Sequence, residues 1–239
     1  MAGRTAIWKS IADTLRAEIA QGHYRAGDKL PTETEMSRRF GVNRHTVRHA
    51  LAALAEAGLV ISRRGAGVFV TMDQTDYAIG RRVRFHQNIL ASGRQPGKQH
   101  LHSETRPANT REAEALRLGP GAQVHFIEAL SLADDQPVAI GRSTFPAARF
   151  PDFMHRRGEY DSLTETLRSY GIDDYTRAET RVTAMAASAT QALHLRLPEG
   201  APLLRTTGLN TDAEGVPIEF GETWFAGDRV TLTLRPDDL

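Results

Sequence analysis

The sequence predicts an α+β protein in two parts. A small three-helix unit closed by a β-hairpin comes first, and a larger unit built on an antiparallel sheet with flanking helices follows. Three observations carry this. Apolar residues recur at helical spacing, with matched caps, through residues 7–58. Strand-like runs separated by Gly, Asp and Pro turns dominate from Tyr77 onward. Two later segments repeat one plan: helix, glycine turn, hairpin.

A chain of 239 residues suits one large domain or two ordinary ones. With 40% hydrophobic and 25% charged residues it reads as globular, and it holds no apolar run long enough to span a membrane. Its start lacks the core of a signal peptide, so a cytoplasmic location is expected, with no membrane partner. Cys is absent, which excludes disulfides and thiolate chemistry. The net charge of +1 conceals an asymmetry. Residues 1–72 carry 11 Lys and Arg against 6 Asp and Glu, a balance of +5; residues 73–239 carry 19 against 23, a balance of −4. Only the basic part is expected to meet a polyanion.

Ile7, Ile11, Leu15 and Ile19 form one stripe of a first helix, with Trp8 and Ala12 beside it and Gly22 past its end. After the turn Gly27 to Pro31, Thr32 is a fitting N-cap and Glu35 stands three residues on, as a capping box requires. This second helix runs to Phe40 and buries Met36 and Phe40. Gly41 turns the chain, Val42 plugs the core and Asn43 caps a third helix. That helix hides Val47, Ala50, Leu51 and Leu54, and leaves Arg44, His45, Thr46 and Arg48 on its first turn or exposed side. Gly58 ends it. Leu59 to Arg63 and Val68 to Val70 then read as two strands joined by a basic, Gly-rich tip at Arg64 to Gly67. Such a unit is a winged helix-turn-helix, whose basic second helix enters a DNA major groove.

These residues resemble the GntR family of bacterial transcription regulators. The resemblance rests on Gly27, Leu30-Pro31-Thr32-Glu33, Gly41 to Arg44, Thr46-Val47-Arg48, Gly58 and Gly65 to Val70. It implies a dimer that binds double-stranded operator DNA. Carried over by position, the DNA contacts are Arg44, His45, Thr46, Arg48, Arg64 and Gly65. Thr34 is a further candidate, where some relatives carry Arg.

The expected layout is a DNA-binding domain over 1–71, a polar linker over 72–76, and an effector-binding and dimerisation domain over 77–239. In that last part helices are expected from Phe85, from Thr110 and from Ser162. Ala113 to Ala122 and Ala189 to Ala201 look alike, and each precedes a hairpin, turning at Asp134-Asp135 and at Asp212 to Gly215. The pattern suits an antiparallel sheet with helices on one side. It resembles the UTRA effector domain of the HutC subgroup, which implies a chorismate-lyase-like fold and a small-molecule effector. Tyr77 to Asn88 and Trp224 to Val230 resemble, more narrowly, PhnF-type regulators, linked to phosphonate or phosphate acquisition. Control of a different catabolic pathway is the alternative.

Arg82, Arg84, Phe85 and His86 stand at a helix start, where backbone N–H groups and Arg side chains favour an anion. Arg142, Ser143 and Arg205 offer further donors, Glu222 an acceptor and Trp224 a packing surface. The expected effector is therefore a small anion such as a phosphonate or phosphate ester. Relatives that bind sugar phosphates carry Arg on the strand that here has Ala129 and Ser131, which argues against an amino-sugar phosphate. An enzyme is disfavoured: there is no Gly-x-Ser-x-Gly nucleophile motif, no metal-ligand cluster and no catalytic set, and no cofactor is expected. His100 and His102 alternate as on one strand face, without a third ligand.

Overall fold

The computed structural model describes residues 6–63, 65–71, 74–82, 84–160 and 162–235. The chain divides into two compact units, Met1–Asp73 and Gln74–Leu239.

In the first unit α1 (Ile7–Ala20), α2 (Glu33–Phe40) and α3 (Arg44–Glu56) pack around Leu15, Met36, Val47 and Leu54, all fully buried. Phe40 is half-buried and packs at the edge of this core rather than inside it. The capping box forms: Thr32 accepts from the Glu35 N–H, and Glu35 accepts from the Thr32 N–H at 2.7 Å. Gly41 takes a left-handed conformation, φ 65°, to end α2. Asn43 accepts from the Thr46 N–H at 2.9 Å and starts α3 in a fixed direction. The hairpin is β1 (Val60–Arg63) with β2 (Gly67–Val70), antiparallel. The segment before α2 also joins it, because Gly27 and Leu30 donate to Val70 and Val68.

The second unit holds a six-stranded antiparallel sheet. Its strands are β4 (Pro96–Pro107), β5 (Gln123–Ala133), β6 (Gln136–Pro146), β7 (Thr176–Ala186), β8 (Pro202–Thr211) and β9 (Pro217–Ala226), in the spatial order β4-β5-β6-β9-β8-β7. That order is a palindrome. Strand, capped helix and hairpin occur twice, and the copies meet at β6 and β9 with Arg142 opposite Glu222. The helices α5 (Thr110–Leu116) and α8 (Ala189–Leu195) correspond: Asn109 and Ser188 each build a capping box, and Arg117 and Arg196 each end their helix in the left-handed region.

Three expectations change here. Thr75 and Asp76, assigned to the linker by their polarity, belong to β3 (Thr75–Ala78), which pairs in parallel with β10 (Val230–Thr233) and buries Thr75. The helices also cover both faces of the sheet rather than one. Helices α5 and α8 lie on the face of Phe220, Ile140 and Trp224; α4 (Phe85–Ala91), α6 (Phe153–Glu159) and α7 (Leu163–Arg168) lie on the face of Phe145 and Phe225. Finally, a bulge between His100 and His102 sets them opposite Ala129 and Glu128, so they point to different faces.

Candidate nucleic-acid interface and ligand cavity

In the first unit Asn43 and Gly41 aim the first turn of α3 outward. Arg44, His45 and Arg48 are exposed, and Thr34 and Thr46 are half-buried. The Thr46 hydroxyl donates to Asn43 at 3.0 Å, so it is engaged in the cap. Arg48 is held by Glu33: its Nε and Nη2 donate to the carboxylate at 3.0 and 2.8 Å. That pairing draws Glu33 below the usual carboxylate range. Gly65 lies in the left-handed region at φ 75°. Arg64, expected at the wing tip, lies outside the described residues. Beside the tip, the Arg63 guanidinium stacks 4.7 Å from the Phe69 ring, and a Cβ on Gly67 would stand 2.7 Å from Lys29 Cε.

In the second unit a cavity of about 370 Å³ opens on the sheet face covered by α4, α6 and α7. A neighbouring pocket of about 340 Å³ shares Lys98, Ser143, Arg157 and Leu163 with it. A chain of hydrogen bonds crosses four strands along the cavity floor. Arg177 Nε donates to Asn210 Oδ1 at 2.8 Å, and Asn210 Nδ2 donates to Glu219 Oε2 at 2.6 Å. Ser143 Oγ donates to Glu219 Oε1 at 2.6 Å. Arg177 reaches inward because β8 has Gly208 beneath it, where a Cβ would stand 1.5 Å from Nη1.

The wall above is Arg84. It stacks 4.6 Å from the Tyr175 ring and donates to Thr164 and Asp174, each at 3.1 Å. Burial pushes the hydroxyl of Tyr77, which also lines the cavity, up to about 12, so it stays protonated. Lys98 opens onto the cavity from edge strand β4. The crowding protein lowers its ammonium from the usual range and the nearby Arg157 lowers it further, while Glu219 opposes both.

Four of the residues expected at the ligand site line this cavity: Arg84, Phe85, His86 and Ser143. Five do not. Arg82 points away and pairs with Asp174 at 2.5 Å, on the exposed surface. Arg142, Arg205, Glu222 and Trp224 lie on the opposite face. Adjacent residues of a strand face opposite sides, so Arg142 and Ser143 cannot share one pocket. On that far face Arg142 pairs with Glu128 at 2.6 Å and stacks 4.8 Å from Trp224, while Glu222 accepts from Arg111 at 2.7 Å. Arg205 sits opposite Trp224 in the register.

The sequence reading missed Lys98, Arg157, Arg177, Asn210 and Glu219. Strand alternation was the signal for Glu219, which is separated by two from Gly221, the register partner of Ser143. Nothing local marks Arg157 or Arg177, which reach the cavity from other elements. Among the described residues no group of His, Asp and Glu is arranged to hold a metal ion, and no helix is long and apolar enough to cross a membrane.

Residues 8–70 match the family model of bacterial regulatory proteins, gntR family, and residues 91–231 match the UTRA domain. The chain is 39% identical to an uncharacterized HTH-type transcriptional regulator, RB1450, of Rhizobium meliloti, over 96% of this chain and 95% of that protein. It is 34% identical to a protein of Escherichia coli K12 described as "Probable transcriptional regulator PhnF", over 95% and 94%. Among solved structures, PhnF from Mycobacterium smegmatis superposes with a TM-score of 0.66 at 26% identity, covering 96% of this chain and 98% of that one. Its relatives are transcriptional regulators and not enzymes. With a DNA-binding domain of one kind and an effector domain of the other, the chain belongs to the GntR family of bacterial transcription regulators, in its UTRA-bearing HutC branch.

Proposed function

We propose that this regulator is a repressor of phosphonate or phosphate acquisition genes, that it binds a palindromic operator as a homodimer, and that a small anionic effector in the second unit sets its DNA affinity. The observation that carries the DNA half is the outward-aimed first turn of α3, with Arg44, His45 and Arg48 exposed above a fixed cap. Arg is the side chain best suited to pair with guanine edges or phosphate. Arg44, His45, Thr46, Arg48 and Thr34 form the groove-facing set, with Arg64 and Gly65 at the wing. Two recognition helices related by a dimer axis call for an inverted repeat in the operator.

The effector half rests on the cationic cavity, where Arg84, Lys98, Arg157 and Arg177 converge around a polar floor. An effector changes DNA affinity only by binding one arrangement of the protein more tightly than another. A repressor's role is supported by NagR of Bacillus subtilis, described as a transcriptional repressor and 28% identical over 98% of this chain. The narrower link to phosphonate or phosphate rests on the resemblance of Tyr77 to Asn88 and Trp224 to Val230 to PhnF-type regulators.

The test is capture of fragments of the source genome by the purified protein at physiological salt, followed by sequencing. An inverted repeat upstream of phosphonate or phosphate genes is expected. A repeat upstream of other genes would discard the pathway and leave the regulator. Retention of all fragments alike would overturn specific operator binding.

A further inference from the structure

Resting on the reading of the first unit as the DNA-binding part, we infer that Lys29 is a further DNA contact: a phosphate-binding residue on the flank of the wing, acting without regard to sequence. The wing is wider than its hairpin. The segment before α2 lies along β2: Gly27 donates to Val70, Leu30 donates to Val68, and Val70 donates back to Asp28. Lys29 thereby stands opposite Phe69 in antiparallel register, and Phe69 stands opposite Ile61 of β1. Residues directly opposite across a ladder share a face. Lys29, Phe69 and Ile61 therefore lie on the outer side of the wing, while Val60 and Val70 enter the core.

From there the long Lys29 side chain reaches the diagonal position on β2, two residues nearer the tip. That position is Gly67. A Cβ there would stand 2.7 Å from Lys29 Cε and 3.5 Å from Nζ, so the absent side chain makes the bed on which the lysine stem lies. Gly67 is also at φ 116°, a conformation that strains any other residue, so the bed stays open. Arg63, the register partner of Gly67, leans instead on the Phe69 ring. The ammonium of Lys29 is thus delivered beside the turn that the Ala66 N–H closes onto Arg63.

Lys29 is exposed, and among the described residues no ion pair holds it. Its charge reaches Glu35, but the Glu35 carboxylate is engaged by the Thr32 N–H and hydroxyl, each at 2.7 Å. A compact ammonium with rotatable donors meets a phosphate oxygen as a point charge and does not need the fixed geometry of a base edge. A wing whose tip meets a groove has a phosphate ridge along its flank. Contacts to phosphate set position and add affinity without reading sequence. Lys29 therefore holds the wing to the backbone, and discrimination is left to the first turn of α3.

Fluorescence anisotropy of the full chain across a salt series tests this on two labelled duplexes: the inverted repeat recovered by genome capture, and a scrambled duplex of the same length. Lys29→Met keeps an aliphatic stem over Gly67 and removes the charge. It is expected to weaken both duplexes alike, by about threefold to tenfold, and to reduce the slope of log affinity against log salt by about 1. Lys29→Arg is expected to restore affinity and slope together. The slope and that rescue separate a lost phosphate contact from a loosened wing, which would lower affinity with no matching loss of slope. Unchanged affinity and slope in Lys29→Met, or a loss confined to the inverted repeat, would overturn the inference. Arg44→Ala, expected to erode the preference for the inverted repeat, tests the reading beneath it. If Arg44→Ala does so and Lys29→Met changes nothing, the DNA-binding unit stands and the role of Lys29 falls. If the parent binds neither duplex, the DNA reading falls and takes this inference with it.

Discussion

The two faces of the six-stranded sheet carry similar side chains to opposite ends. On one face Arg142, Glu128, Arg111 and Glu222 neutralise one another at the surface. On the other, Ser143, Asn210, Glu219 and Arg177 form a covered relay along the floor of a cavity. Residues next to each other in sequence serve different faces. An ion pair in solvent adds little, whereas polar groups roofed by three helices must satisfy one another or a ligand. What separates a surface charge from a cavity-lining group here is the side of the strand it occupies, not its chemistry.

The largest expected effect breaks the roof. Phe153 of α6 is fully buried among Phe145, Phe150 and Tyr170. Phe153→Ala should cost about 3–5 kcal/mol, seen as a large fall in the urea midpoint of the second unit. Arg142→Ala on the far face, in an ion pair at the surface, should cost about 1 kcal/mol or less by the same measurement. If the two variants were equally destabilised, the contrast between faces would be wrong.

Next comes ligand binding at neighbouring positions. Ser143→Leu removes a donor to Glu219 and intrudes on the cavity. It should lower effector affinity by tenfold or more, given the ~1–3 kcal/mol cost of an unsatisfied buried group. Arg142→Ala should leave that affinity unchanged in calorimetry. Loss of binding in Arg142→Ala would restore the far face as part of the site.

A smaller effect concerns acid. At Glu112 burial raises the carboxyl, but Arg106 and the Asn109 backbone outweigh it and hold it below its ordinary value of 4.5. A carboxylate lowered by folding stabilises the fold above its unfolded value, and that stability drains as pH falls through the lowered one. Urea midpoints should therefore decline below about pH 4.5, and Glu112→Gln should flatten the decline. An unchanged acid slope would mean that other carboxylates dominate.

The smallest effect belongs to the first unit. Glu33→Gln releases Arg48 from its pair and removes one negative charge. Operator affinity should rise several-fold, with a steeper dependence on salt. A fall in affinity would instead show that Glu33 holds Arg48 in its working pose.

The first unit was nearly legible in the sequence because its determinants are local. Thr32 and Glu35 lie three residues apart, Asn43 precedes its own helix, and Gly41 sits at the turn it permits. The repeat of helix and hairpin in the second unit was equally visible. The cavity was not. Lys98, Arg157, Arg177 and Glu219 come from four elements brought together only by strand order and register, and no spacing along the chain encodes that. Alternation alone could have set Arg142 and Ser143 apart. The bulge that parts His100 from His102 could not be read at all, because it depends on how β4 meets β5.

The pairing of β6 with β9 has a consequence for the ancestry of this sheet. If two identical halves joined along that seam, every residue on the axis would face its own copy, and an Arg would face an Arg. Here the residue on one side of the axis is Arg142 and its counterpart is Glu222. Once the halves share a chain, their seam positions can diverge to opposite sign, which forbids a return to identical, interchangeable halves. Ser143 and Glu219 lie off that axis on the cavity side, so the sheet keeps the outline of a two-fold while its cavity floor does not obey it.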